Sequence, residues 1–477
     1  MKRKAISIIL LQTALIALSA CGGNSTSAGS SLSSSSSADM TSSSTSNPYP
    51  ITPDTESDLF SLYYENSSSI KNCAEGVLLI TKKSAFSSST INTLDVRWGD
   101  KSASFTDYSA LITFDELKAS DFEYDFGSNA LIPLEATKIW VNAYDASSNL
   151  IGKASIGVET YKEKETLQAE YQIISDTHVL TSSPCFYRRT KKTFEDIKKN
   201  SPNSSGIIAN GDIIDEVTEA NYSSFFDAFD SVYDSRDQLH IGLGNHEFIV
   251  QSETDYASAS ETVLNKRYND RLALWEEKTG NTSAYFSQEI NGTYFIYLGT
   301  TKMPQNLDGN TRADCVLGEE QLTWLKNTLV EANKTNKPIF LLSHGSLRDT
   351  VSGSLTSLGQ TWYGYSQEEE TELRNIIEDY PQILFFSSHS HWCFESKQPY
   401  LITDNYPTFF NTGAIGYLWQ GSNGGEHYLN GDYENGGAQG LYVEVYDKQV
   451  IIKGRQFEAS DKTSQYWFSG YQVVLPF

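Results

Sequence analysis

Five short polar blocks hold most of the residues in this chain that could do chemistry. They are SDTH at 175–178, NGDIID at 210–215, GNHE at 244–247, SHG at 343–345 and SHSH at 388–391. Five of the seven histidines fall in them (His178, His246, His344, His389 and His391), with Asp176, Asp212, Asp215, Asn245 and Glu247. Imidazole nitrogen, carboxylate oxygen and amide oxygen form a mixed hard and borderline donor set suited to Mn, Fe, Zn or Co. Asp176, His178, Asp212, Asn245, His344, His389 and His391 make seven candidate ligands. One ion with open positions does not need seven; two ions sharing a bridging carboxylate do. The pairs Asp176/His178 and His389/His391 are two residues apart, and on extended backbone such pairs project to one face. Gly211 precedes Asp212, and its missing side chain lets the chain turn sharply beside the ions.

The elements that must position these blocks are legible as well. Each block follows a short apolar run: YQII, GIIA, LHIGL, PIFLL and QILFF. Such runs read as buried strands, so the donors gather where strands end and loops begin. Residues 319–335 place Leu322, Leu325 and Leu329 on one helical face. Ser366 and Glu369 stand in capping-box spacing ahead of Leu373, Ile376, Ile377 and Tyr380. Residues 440–457 and 471–477 return to strand patterns. From about 165 onward the expected fold is therefore α/β, mixed β-sheets layered with helices. Residues 60–164 differ in texture: short alternating stretches such as GVLLITKK, NTLDVRWGD and TKIWVNAYD, separated by turn residues. Their spacing predicts an all-β sandwich of immunoglobulin or fibronectin-III type, with a spacer role and no catalytic constellation.

The beginning of the chain carries an address. Lys2, Arg3 and Lys4 precede an apolar run that ends in Leu18-Ser19-Ala20-Cys21, so residues 1–20 read as a signal peptide. The LSAC ending resembles a bacterial lipobox, which implies lipidation of Cys21 and anchoring at the outer side of a cell membrane. Residues 21–59, dominated by Ser, read as a flexible tether. A formal charge of -24, from 36 basic and 60 acidic residues, argues against nucleic acid as a partner and requires cations for any phosphate chemistry. Four cysteines remain beyond Cys21: Cys73, Cys185, Cys315 and Cys393. A bridge at the site rim between Cys185 and Cys393 and buried free thiols are both open.

The order D-x-H, G-D-x-x-D, G-N-H-E, H, then H-x-H resembles the calcineurin-like metallophosphoesterases over residues from about 170 to 460. The resemblance implies that Asp176, His178 and His391 hold one divalent ion and Asn245, His344 and His389 a second, with Asp212 bridging. Mn, Fe, Zn and Mg all suit such a pair. His246 becomes the catalytic histidine, and Asp215 the residue that orients and charges it. The implied reaction is attack of a metal-bridging hydroxide on a phosphate ester, with His246 as acid or transition-state stabiliser. Two departures are visible. Ser388 stands where the family often has Gly, which an ordinary backbone angle would tolerate. Asp215 stands where purple acid phosphatases carry Tyr, so a coloured iron-tyrosinate site is not expected.

Other polar residues have weaker claims. Arg188, Arg189, Lys191 and Lys192 either steer an anion or form a solvated helix start. Arg348, Asn411 and Tyr417 are further candidate substrate contacts; the aromatic stretch 417–437 is either a pocket wall or a solvent loop. His240 reads as structural, and His427 mainly so. Alternatives to a monoesterase are a phosphodiesterase or nucleotidase on the same core, and a non-catalytic surface binding lipoprotein. A DNA-repair nuclease conflicts with the acidic surface and the export signal.

Overall fold

The computed structural model describes residues 53–55, 57–66, 76–83, 91–99, 109–112, 121–125, 138–157 and 166–477. The last stretch is interrupted at 254, 256–257, 304, 307–311, 314, 362–363, 404–405, 421–426, 429–435 and 459–464. The leader, Cys21, Cys73 and most of the Ser-rich stretch lie outside the described residues.

Two antiparallel sheets come first. One has the order β1-β8-β7-β4-β5, from β1 (Pro53–Thr55), β4 (Thr93–Gly99), β5 (Ser109–Ile112), β7 (Lys138–Tyr144) and β8 (Leu150–Gly157). The other has the order β2-β3-β6, from β2 (Phe60–Asn66), β3 (Gly76–Lys82) and β6 (Asp121–Asp125). Phe60 and Leu62 are buried on either side of half-buried Ser61, the period of a pleated strand with one face inward, whereas Asp95 is buried between Leu94 and Val96 and β7 is buried throughout from Ile139 to Ala143. Strand β1 falls inside the stretch read as tether.

The rest is four layers. The first sheet runs β11-β10-β9-β22-β23-β24: β9 (Leu167–Ile174), β10 (Gly206–Asn210) and β11 (Leu239–Gly242) are parallel. Strands β22 (Ala438–Tyr446), β23 (Gln449–Phe457) and β24 (Tyr466–Pro476) complete it antiparallel. The second runs β12-β13-β16-β17-β19-β18. In it β13 (Thr293–Leu298), β16 (Ile339–Ser343), β17 (Ile383–Ser387) and β19 (Thr408–Asn411) are parallel. Antiparallel β12 (Phe286–Ile290) and β18 (Tyr400–Leu401) close its edges. Two short pairs, β14 (Gln305–Asn306) with β15 (Arg312–Ala313) and β20 (Trp419–Gln420) with β21 (His427–Tyr428), lie outside both sheets.

Burial follows from the layering. Tyr171, Ile173 and Leu441 of the first sheet pack against Phe340, Phe386 and Phe410 of the second, so the two sheets face each other. On the far side of the first sheet lie α1 (Pro184–Asn200), α2 (Glu219–Asp230) and α3 (Glu261–Thr279), through Phe194, Phe225 and Trp275. On the far side of the second lie α4 (Gly318–Asn333) and α5 (Gln367–Ile377), through Leu325, Leu329, Leu373 and Ile377. Strands covered on both faces need apolar residues throughout, and β10, β16 and β17 are buried along their whole length.

The capping box forms only by half. Ser366 accepts the Glu369 N–H at 3.3 Å, as expected of an N-cap. The Glu369 carboxylate turns instead to the neighbouring helix and accepts from Leu317 N and Gly318 N, each at 3.0 Å. One side chain thereby satisfies orphan donors at the start of α4 and places a negative charge at its positive end.

Candidate metal centre

The five blocks meet at the carboxyl ends of β9, β10, β11, β16 and β17, donors of the first sheet facing donors of the second. Three groups of acidic and imidazole donors come together there, each with its atoms within 4.8 Å of one another. They are Asp176–His178–His391, Asp212–His344–His389 and His178–Asp212–His246. Asp212 belongs to two of them: its Oδ2 lies 3.0 Å from His344 Nε2 and 3.8 Å from His178 Nε2. Asp176 Oδ1 lies 3.2 Å from His391 Nε2.

The donors do not converge by the extended geometry expected from their spacing. Asp176 (φ 50°), His178 (φ 46°), Asp212 (φ 53°), His389 (φ 67°) and His391 (φ 56°) all have left-handed backbone. In each D-x-H or H-x-H pair, two left-handed residues curl the chain so that both side chains point inward. Asp, Asn and His tolerate this region better than most residues. Gly211 (φ 85°) is required twice over: besides its φ, a Cβ there would lie 2.7 Å from both Gly244 N and His344 Nδ1. Ser388, by contrast, has no positive φ.

Four of the five imidazoles, those of His178, His246, His344 and His391, are turned by a bond through Nδ1. His178 donates to Asp215 Oδ1 at 3.0 Å, His344 to the Asn210 carbonyl at 2.9 Å and His391 to the Tyr417 carbonyl at 3.0 Å. His246 donates to the backbone carbonyl of Asp215 at 2.7 Å. With Nδ1 the donor, the Nε2 atoms of His178 and His391 face each other at 3.0 Å. Either a proton on one of them or a cation beside both makes that approach favourable. Asn245 Oδ1 is buried without a hydrogen bond, a costly condition for a polar atom, while Asp176 Oδ1 and His344 Nε2 face ionisable groups of the cluster. Asn245 stands at the N-cap of the short helical turn His246–Phe248 yet makes no capping bond, so its amide oxygen stays open. Oriented imidazoles, buried carboxylates and an unpartnered amide oxygen fit a pair of divalent cations.

Asp215 departs from its expected role. Its carboxylate serves His178, while His246 Nδ1 is 3.7 Å from the Asp215 Oδ1 and bonds the backbone oxygen instead. The His178 ring presents its edge to that carboxylate more directly, so the charged partner goes to a ligand and the neutral carbonyl to His246. His246 is the most open imidazole of the cluster, with 24% of its side chain exposed.

The groups tune one another. Burial alone would lower His178 and His344, yet the carboxylates of Asp176 and Asp212 raise both to about 10, with Asp215 adding to the rise at His178. Burial would raise Asp176, and the charges of His391 and His344 hold it well below the usual carboxylate range instead. For His246 burial wins, and its imidazole is held below the ordinary value.

Three residues have a supporting role that the sequence does not assign. Glu247 is buried and accepts from Asp212 N (3.0 Å), Ile213 N (2.8 Å) and Gly244 N (2.8 Å), clamping two ligand loops together. Burial and the nearby Asp212 raise it to about 7. Asn210 joins the ends of three strands through its side chain. Thr412 lies between Ser175 and Ser388. The signal for Glu247 and Asn210 was their place inside the blocks; that for Thr412 was its place in Asn411-Thr412-Gly413, directly after a strand-like run.

The substrate-contact candidates divide. Tyr417 stacks on the His391 ring at 4.1 Å between centroids and 27° between planes, half-buried at the edge of the centre. Asn411 is buried, its amide donating to the Trp392 carbonyl at 2.7 Å and accepting from Gly413 N at 3.0 Å, a bracing role. The Arg348 guanidinium pairs with Glu370 and donates to the Tyr365 carbonyl, tying the loop after His344 to α5. Arg188 lies exposed on α1, while Arg189 turns inward to the Gly416 carbonyl. Lys192 pairs with Glu458. His240 bonds Gln288 at 3.2 Å, as a structural residue would. The side chains of His427, Tyr428 and Tyr433 lie outside the described residues. Cys185, Cys315 and Cys393 are buried free thiols, so no bridge joins Cys185 to Cys393. Among the described residues no helix is long and apolar enough to cross a membrane.

Residues 172–393 match the family described as calcineurin-like phosphoesterase. No curated protein matches the chain. Among solved structures it is similar to a dimetal phosphatase from Danio rerio, at 9% identity and a TM-score of 0.41, covering 65% of this chain and 100% of that one. A purple acid phosphatase from yellow lupin (Lupinus luteus) seeds gives 11% identity and a TM-score of 0.42, covering 87% of this chain and 74% of that one. At such values these likenesses say nothing of activity. The family match makes the chain a hydrolase acting on phosphoester bonds.

Proposed function

We propose that residues 165–477 form a dinuclear metal-dependent phosphoesterase in which Asp176, His178 and His391 hold one divalent ion and Asn245, His344 and His389 the other, Asp212 serving both. The observation that carries this reading is the set of donors from two sheets that face one another across a buried space. Two such cations would supply Lewis acidity toward phosphoryl oxygens and an activated water. His246, at the open side and fixed through Nδ1, would in its doubly protonated form give the Nε2 proton to the departing oxygen. Asp215 keeps His178 in the tautomer that leaves Nε2 available. Tyr417 walls the centre beside His391.

The anchored, extracytoplasmic location belongs to the same proposal. It is supported by the basic start, the apolar run and the LSAC ending at Cys21. So does an immunoglobulin- or fibronectin-III-like domain over residues 60–164, supported by its two antiparallel sheets and their buried apolar residues. The test is hydrolysis of aryl phosphate monoesters and diesters by purified protein with Mn, Zn or Mg added after chelation. Metal-dependent turnover of either ester is the expected result; no turnover with any of the three, alongside glycan binding, would replace this reading with a surface binding protein.

A further inference from the structure

Beneath the donors runs a buried chain of hydrogen bonds that crosses from one sheet to the other. Asn210 Nδ2 donates to Ser388 Oγ at 2.8 Å, Ser388 Oγ is 2.8 Å from Thr412 Oγ1, and Thr412 Oγ1 is 2.9 Å from Ser175 Oγ. Ser175 Oγ then donates to the Gly413 carbonyl at 3.1 Å. All four side chains are buried. Each hydroxyl has one proton, and the amide and the carbonyl fix the two ends. One direction satisfies every one of these links: Asn210 gives to Ser388, Ser388 to Thr412, Thr412 to Ser175, and Ser175 to the carbonyl; the Thr412 hydroxyl also reaches the Ser387 carbonyl at 3.1 Å. Linked bonds of this kind polarise one another, and the loss of one member leaves buried partners unmet.

The placement of the chain is what gives it a role. Ser175 immediately precedes Asp176, and Ser388 immediately precedes His389. The Asn210 amide also donates to the carbonyl of Ser343, the residue before His344, at 3.0 Å, and its own carbonyl orients His344. Ser175 and Asn210 lie at strand ends of the first sheet, Ser388 and Thr412 at strand ends of the second. The residues that follow, Asp176 and His389, have strained left-handed backbone that its surroundings must hold.

We infer that Ser388 and Thr412 are positioning residues for the metal centre, their hydroxyls locking the ligand loops of the two sheets into one register. The inference rests on the phosphoesterase reading only in taking Asp176, His344 and His389 as cation ligands. A glycine at 388 would turn the backbone equally well and supply no hydroxyl, so this chain's departure from the family pattern has a physical use.

The test measures Mn2+ and Zn2+ binding to chelated full-length protein by calorimetry, and retained metal by elemental analysis after dialysis. The variants are Ser388→Ala, Thr412→Val and Thr412→Ser. Ser388→Ala and Thr412→Val should weaken cation binding by about 10–100-fold, as loss of a ligand's supporting partner does. They should raise the metal concentration that half-saturates aryl phosphate hydrolysis, with kcat recovering at saturating metal. Thr412→Ser, which keeps the hydroxyl, should bind as the wild type does. Thermal melting separates folding from metal affinity, and Ser388→Ala, which removes one oxygen, carries the test if Thr412→Val does not fold. Wild-type affinity in Ser388→Ala overturns the inference alone. A wild type that binds neither cation overturns the phosphoesterase reading with it.

Discussion

The sheets of residues 53–157 and those of residues 166–477 use the same apolar strands, yet they place backbone strain differently. Among the described residues of the first region, one non-glycine residue has positive φ, Ser148, in the turn between β7 and β8. The Asp145 carboxylate steadies that turn by accepting from Ser147 N and Asn149 N. In the second region five candidate ligands adopt the left-handed conformation. At roughly 1 kcal/mol each, they hold on the order of 5 kcal/mol, comparable to the whole stability of a small domain. Backbone bonds offset it: Asp176 N donates to the Gly211 carbonyl, His178 N to the Asp212 carbonyl and Trp419 N to the His391 carbonyl. Strain collected at strand ends and laced from both sides marks a place built for chemistry. Strain confined to a surface turn marks none.

The sharpest way to break that comparison is Asp212→Asn. It removes the charge shared by both metal groups and should lower aryl phosphate hydrolysis by about a thousandfold or more, with one ion or both lost by elemental analysis. A variant that keeps both ions and full turnover would mean the cage is not a cage. His246→Ala should keep its metal and lose about 100-fold to 10,000-fold in kcat. The loss should be greater for alkyl esters than for nitrophenyl esters, because a poor leaving group needs the proton more. Equal losses would assign His246 to substrate binding.

Asp215→Asn tests which histidine its carboxylate serves. The geometry predicts cation binding weaker by about tenfold and near-normal kcat at saturating metal. Normal affinity with depressed kcat would return the carboxylate to His246. Protons should also compete with metal. His178 and His344, raised to about 10 in the chelated protein, are protonated at neutral pH and must release protons to bind. Apparent affinity should therefore rise from pH 6 to 9, with proton release visible in calorimetry across buffers of different ionisation enthalpy. The same shifts stabilise the chelated fold fully below about 6.5, and that contribution fades as pH rises through 10. In the first region, Ile139→Val, at a fully buried position, should cost about 0.5–1.5 kcal/mol and leave turnover and metal content unchanged. A drop in kcat there would show the two regions coupled.

Much of this was legible in the sequence. Apolar runs ahead of each block gave the strands because buried parallel strands tolerate little else, and Leu322, Leu325 and Leu329 marked α4 by their period. The choices among partners were not legible. Nothing in the spacing of Asp215 says that its carboxylate turns to His178, or that Glu369 leaves its own helix to cap α4. Arg348 and Asn411 looked available because a sequence does not show Glu370 or the Trp392 carbonyl waiting beside them. Two-residue spacing predicted extended backbone, where the structure has paired left-handed residues that achieve the same convergence.

Each proposed ion draws on both sheets: Asp176 and His178 come from one and His391 from the other, as Asn245 comes from one and His344 and His389 from the other. His178, Asp212 and His246 already meet among the loops of one sheet, but neither proposed ligand set is complete until the halves have closed. Under the export proposed from the leader, a chain delivered unfolded would close on the far side of the membrane. The element it carries would then be chosen by supply outside the cell rather than by the stocks of the cytosol.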